Sequence, residues 1–147
     1  RPPLDRVNAM LSFLYTIFTR EYAAALESVG LDSYMGFYHS LRPGRESLAC
    51  DLVEEGRCIV ERFVLTLINL KIIKPEDFDV QVSGAVFLND DGRKKVLSKW
   101  QEKKRTDMIH PYLKEKISMG LLPYVQSMLL AKFVRGEIDE YPCYLAK

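Results

Sequence analysis

The chain has little with which to staple or anchor itself. Cysteine occurs three times in 147 residues, as Cys50, Cys58 and Cys143, an odd number with no C-x-x-C pair. That pattern argues against a disulfide framework or a zinc finger and predicts a reducing, cytoplasmic setting. No run of about eighteen apolar residues is present, so neither a transmembrane helix nor a membrane partner is expected. No secretory leader pattern is visible. The first residues are Arg1-Pro2-Pro3 with no initiator methionine, so the chain is expected to be a fragment of a longer protein. Internal repeats and low-complexity tracts are lacking as well.

What is present describes an ordinary globular domain. Hydrophobic residues make up 48% of the chain and charged residues 28%, enough at this length to bury a core. Asp5 is placed to cap a helix whose apolar positions recur at Val7, Met10, Leu11, Leu14, Phe18, Tyr22, Ala25, Leu26 and Val29, with Gly30 as its stop. Residues 31–46 read as a loop punctuated by Pro43-Gly44. Gly36, Pro43 and Gly44 leave it few buried contacts, so it is expected to be poorly ordered in isolation. Ser47 begins a second predicted helix running to about Lys71, with Leu48, Leu52, Ile59, Phe63 and Leu67 facing inward. Val80-Gln81-Val82 and Ala85-Val86-Phe87-Leu88 flank Ser83-Gly84 and predict a small hairpin. A third helix carries Trp100, and a last apolar helix spans 120–133. Tyr141-Pro142-Cys143-Tyr144-Leu145 is too apolar for a free tail and is expected to pack on its own domain or on a partner. The predicted fold class is mainly α: one multi-helix domain over residues 1–147 with at most a small β-hairpin near 80–88.

The stretch from Leu31 to Cys58 concentrates the reactive side chains. His39 lies beside Phe37 and Tyr38 and is followed by Arg42 and Arg45. Asp51, Glu54 and Glu55 come next at i, i+3 and i+4, a spacing that puts them on one helix face within side-chain reach. An imidazole with carboxylates suits a divalent cation that keeps positions open for water and phosphate. Arg42, Arg45 and Arg57 suit a polyanion. Together they read as a metal-dependent phosphodiester site. Plainer readings stand beside that one. A lone histidine is more often structural, the reading adopted for His110 before Pro111 in a turn between helices. Acids on a helix with Leu52, Ile59 and Phe63 opposite also describe a solvated face. Arg57 and Arg62 neutralise such a cluster only in part, and a cation would relieve its self-repulsion. The residues alone leave both readings open.

The net charge of +1 hides an uneven distribution. Between Arg93 and Arg105, seven basic residues (Arg93, Lys94, Lys95, Lys99, Lys103, Lys104, Arg105) meet one acid, Glu102. With Trp100 among them, they read either as a solvated helix face or as a sequence-independent contact with nucleic-acid backbone. The second option supports an alternative function: a non-catalytic helical module that binds DNA or another protein.

Three ordered blocks carry a family resemblance. R-P-P-L-D-R-V-N-A-M-L-S-F-L-Y at the start, G-F-Y-H-S followed by R-x-S-L-x-x-D-L-x-E-E-x-R, and G-A-V-F-L-N-D-D-G-R-K-K-V-L-S-K-W resemble the CRISPR-associated integrase, the metal-dependent endonuclease of spacer acquisition, in its type I-C branch. The resemblance covers nearly the whole chain. It implies the C-terminal helical catalytic domain of a protein whose N-terminal β-sandwich mediates dimerisation. It also implies a manganese or magnesium ion held by a glutamate, a histidine and a second acid. His39 matches the histidine, Glu54 the second acid, and Asp51 an acid that also lines the site. Arg42 and Arg57 sit where the family places basic residues near DNA phosphate. The first glutamate of that set would precede Arg1, and Glu21 and Glu27 are on the wrong side of the first block to replace it. The chain alone is therefore expected to hold an incomplete metal site and to show little activity. Implied partners are double-stranded and branched DNA, a second copy of the full-length protein, and a small companion subunit.

Overall fold

The computed structural model describes residues 2–34 and 47–144, with Ser47 described for its backbone alone. The loop expected over 31–46 falls almost entirely outside those residues.

Helix α1 (Arg6–Ser28) organises the domain. Asp5 caps it by accepting the Asn8 N–H at 2.8 Å, and that donor holds the exposed Asp5 carboxyl below the usual carboxylate range. Met10, Leu14, Phe18, Tyr22 and Leu26 follow one another at four-residue intervals, so a single stripe is buried along its whole length. Gly30 ends the helix at φ +85°, a conformation that only glycine adopts without cost, and Leu31 N–H then reaches back to the Leu26 carbonyl at 2.9 Å. That stripe packs against α2 (Ser47–Glu55), α3 (Arg57–Asn69), the first hairpin and α5 (Leu122–Val134).

The helix expected from Ser47 to Lys71 is two helices. They meet at Gly56, where an added Cβ would stand 2.7 Å from the Phe18 ring. The approach of α1 leaves no room for a side chain there, and the break lets α3 leave at its own angle while Ile59, Val60, Phe63, Val64 and Leu67 stay buried.

Strands β1 (Phe78–Val80) and β2 (Val86–Leu88) form a hairpin where one was expected, in register Phe78↔Leu88 and Val80↔Val86, but its first strand lies two residues before the expected Val80–Val82. Helix α4 (Asp90–Lys104) follows, capped by Asn89. Its Trp100 is fully buried, edge-on to Phe18 and Phe63 with ring centroids 5.4 and 5.2 Å away. Each such pair contributes about 0.5–1.5 kcal/mol beyond burial alone. The mainly helical class is found as expected. One element goes beyond it: β3 (Asp107–Ile109) pairs with β4 (Lys116–Ser118) in a second antiparallel hairpin, and His110 sits in the turn between these strands rather than between helices.

Candidate phosphodiester site

The nine-residue α2 carries the three acids, and the structure sets Glu55 apart from the other two. Asp51 is buried at 2% exposure. Glu54 faces outward, half exposed, and takes the Arg57 Nη2 donor on both oxygens, at 2.9 Å from Oε1 and 2.7 Å from Oε2. Glu55 turns inward. Its carboxylate accepts Tyr144 N–H at 2.7 Å, the Tyr141 hydroxyl at 2.9 Å and Gln126 Nε2 at 3.3 Å. The convergence expected from i, i+3, i+4 spacing is thus corrected. Successive helix positions are about 100° apart, and the donors that satisfy Glu55 lie on the core side. The repulsion that a cation was expected to relieve is relieved at Glu55 by N–H and O–H groups. Burial nevertheless raises the Glu55 pKa, with Tyr144, Tyr141 and Gln126 acting against that rise.

Arg57 opens α3 immediately after the break, which points it back toward Glu54. Its guanidinium also lies 5.8 Å from the centroid of the Tyr15 ring on α1. The Glu54 hydrogen bond and charge raise the Arg57 pKa further above its already high value. Arg57 and Glu61 form one wall of an open groove of about 950 Å³, opposite Asp5, Asn8, Tyr15 and Arg20 of the α1 side. Arg57 is therefore the residue shared between the groove and the Glu54 pair. His39, Arg42 and Arg45 lie outside the described residues.

Among the described residues no group of three or more His, Cys, Asp and Glu side chains is placed to hold a metal ion. The donor chemistry still fits one in part. Glu54 presents an accessible hard-oxygen ligand of the kind magnesium and manganese take, and the His39 expected beside it lies outside the described residues.

The basic run on α4 is largely engaged within the domain. Lys95 pairs with Asp77 at 3.0 Å, Lys99 with Glu102 at 3.2 Å and Lys104 with Glu21 at 2.9 Å, while Arg93 pairs with Asp90. Lys94, Lys103 and Arg105 have no acidic partner among the described residues. Trp100, read as a neighbour of bound nucleic acid, instead belongs to the core and donates its indole N–H to Glu21 at 2.7 Å. All three cysteines are free, as expected of a chain without a disulfide framework. No helix among the described residues is long and apolar enough to cross a membrane.

Sequence reasoning missed the buried group around Glu55. The one signal for it was the apolar Tyr141–Leu145 segment. Its residues Tyr141 to Tyr144 pack on this domain.

A short helical unit built round one central helix is also the fold of several solved proteins. A casposase bound to its integration product superposes at a TM-score of 0.88 with 25% identity, over 97% of this chain and 41% of that one. The family model described as CRISPR associated protein Cas1 matches residues 1–102, and the chain belongs to that family. The CRISPR-associated endonuclease Cas1 1 of Chlorobaculum tepidum is 49% identical over 146 residues, 99% of this chain and 43% of that protein. A partial Cas6-RT-Cas1–Cas2 complex contains a chain that matches at a TM-score of 0.79 with 25% identity, over 100% of this chain and 43% of that one. The chain thus spans about two fifths of the length of these relatives.

Proposed function

We propose that the chain is the C-terminal helical catalytic domain of a metal-dependent DNA endonuclease and integrase that inserts spacer DNA into a CRISPR array, in the type I-C branch. The observation that carries this reading is Glu54. It lies inside the stretch matched by the family model and projects outward beside Arg57 and the groove, while Val53 is buried and Glu55 turns inward. The similarity to an endonuclease and to a casposase with its integration product supports the same reading.

Glu54 and His39 would hold Mg2+ or Mn2+, which would supply Lewis acidity at a phosphoryl oxygen. Asp51, one turn before Glu54, would set the inner edge of the site. In the proposed transesterification, the 3′-hydroxyl of the incoming fragment attacks a phosphodiester of the repeat. A new P–O bond forms as the existing P–O3′ bond breaks, and the proton of the attacking hydroxyl is lost. Arg42, Arg45 and Arg57 would offset the charge that builds on the phosphoryl oxygens. With water in place of the 3′-hydroxyl, the same site would cleave. Arg57 is held half-exposed between Glu54 and Tyr15, available to phosphate without leaving its position. The residues at hand supply two of the three ligands the family resemblance calls for, so activity is proposed for the full-length protein and not for this chain alone. A dimer, double-stranded and branched DNA, and a small companion subunit are the proposed partners. The Cas1–Cas2 complexes among the similar structures support the last of these.

The test is manganese-dependent cleavage and integration on branched DNA with the full-length protein, this chain, and full-length His39→Ala and Glu54→Ala. Activity in the full-length protein alone, abolished by either substitution, is the expected result. Activity indifferent to both would put the chemistry elsewhere in the full-length protein and leave this domain the alternative role, a helical DNA-binding module resting on Lys94, Lys103 and Arg105.

A further inference from the structure

The acid next to Glu54 sits at one end of a polar chain that runs inward to the buried Gln126 and His110. His110 Nδ1 accepts the backbone N–H groups of Tyr112 and Leu113, each at 3.2 Å. An imidazole nitrogen that accepts carries no proton, so Nε2 carries it and donates to Gln126 Oε1 at 2.6 Å. With its oxygen so engaged, Gln126 turns its amide nitrogen toward Glu55, the Tyr141 oxygen at 2.8 Å and the Pro142 carbonyl at 3.2 Å. Glu55 is the end point, taking donors from Gln126, Tyr141 and the Tyr144 backbone. Gln126 and His110 are at 0% and 1% exposure, so bulk water does not reach their end of the chain.

This arrangement has a mechanical consequence for α2. Its N-terminal end is tied by Leu48 and Ala49 N–H groups to the Ser33 carbonyl, at 2.8 and 3.3 Å. Leu48, Ala49, Leu52 and Val53 give it an apolar underside, an attraction that is strong but non-directional. Directional hydrogen bonds at Glu55 fix what apolar contact leaves free, the roll of the helix about its axis. Gly56 follows at once, so Glu55 is the last residue of α2. One residue before this anchor is Glu54.

We propose that Glu55, together with Gln126, Tyr141 and the His110 imidazole, is a positioning relay: it locks the roll of α2 and so aims Glu54 outward. This rests on the reading of Glu54 as a metal ligand. Glu55 itself touches neither metal nor DNA.

The test uses the full-length protein. Tyr141→Phe removes one donor to Glu55 and keeps the ring, Glu55→Gln keeps an acceptor for the Tyr144 N–H, and Glu55→Ala removes both. Manganese binding without DNA is followed by the loss of the free-ion paramagnetic resonance signal, and amide hydrogen exchange is followed over 47–55. Integration rate and DNA KM are measured at saturating metal. For Tyr141→Phe the expected result is manganese binding weakened about 10- to 100-fold. Exchange should quicken in α2, and kcat should fall with DNA KM unchanged. Glu55→Gln should fall between wild type and Glu55→Ala. A merely structural role would lower the melting temperature and leave manganese affinity and kcat of the folded protein unaltered. That outcome, beside an inactive Glu54→Ala, overturns the relay alone. Full activity in Glu54→Ala overturns the site reading and the relay with it.

Discussion

The carboxylate of Glu55 accepts the backbone N–H of Tyr144 at 2.7 Å across 89 positions of sequence, while Glu54, its neighbour, points into solvent toward Arg57. Two adjacent glutamates on one short helix therefore have opposite environments, and substitutions at the two sites should separate cleanly.

Glu54→Ala is expected to abolish integration and cleavage by the full-length protein while changing stability by less than about 1 kcal/mol, because its one ion pair is half exposed and such pairs contribute little. Thermal melting alongside the integration assay checks both halves. A large loss of stability would mean that Glu54 holds the fold instead.

Gly56→Ala places a methyl group 2.7 Å from Phe18, whose ring is fixed by Tyr22 and Trp100. Overpacking of that kind costs about 1–3 kcal/mol. Urea denaturation should show a lower midpoint with an unchanged slope. An unaltered midpoint would mean that the contact between α1 and the α2–α3 break is loose.

Asp77 gives an acid-side stability test. Burial alone would raise its pKa, but the Lys74 N–H and the Lys95 ammonium outweigh that and hold it below the usual carboxylate range. A depressed folded-state pKa stabilises the fold above the unfolded value and loses that contribution as pH falls through the folded one. Asp77→Asn should therefore be less stable than wild type at pH 7, by about 1–3 kcal/mol. The gap should close progressively below about pH 4. A gap independent of pH would remove charge from the explanation.

The basic residues of α4 should divide by their partners. Lys103→Glu and Lys94→Glu leave the fold intact, and if the exposed face meets DNA, each lost phosphate contact reduces the salt dependence of binding by roughly one unit of slope. Lys95→Glu and Lys104→Glu set an acid against Asp77 and Glu21 and should lower the melting temperature first. Equal behaviour of all four in both assays would contradict the pairing seen here.

The legible parts of this domain were those governed by near neighbours. The stripe from Met10 to Leu26, the Asp5 cap and the Gly30 stop are local signals, and α1 follows them. The hairpin at 78–88 announced itself through β-branched residues around Ser83-Gly84. The break at Gly56 was not legible, because the inward pattern Leu52, Ile59, Phe63 runs through it and the cause is a ring 38 residues earlier. The 107–118 hairpin has strands of three residues, too short to show alternation. Spacing placed Asp51, Glu54 and Glu55 on one face but could not weigh them against Tyr141, Tyr144 and Gln126. Trp100 read as a companion of lysines because its partners, Phe18, Phe63 and Glu21, are remote in sequence. His39, Arg42 and Arg45 stand as the sequence left them.

The pairing of Glu55 with the 141–144 segment also sets a clock on biosynthesis. At roughly 5–20 residues per second, a ribosome delivers Tyr144 about 4–18 s after Glu55. Until then the nascent domain can assemble α1 against α2 and α3, but it must either bury an ionised carboxylate without its donors or keep that corner wet. Final closure is deferred to the arrival of two tyrosines, and in that interval a partly closed intermediate is exposed to chaperones and proteases.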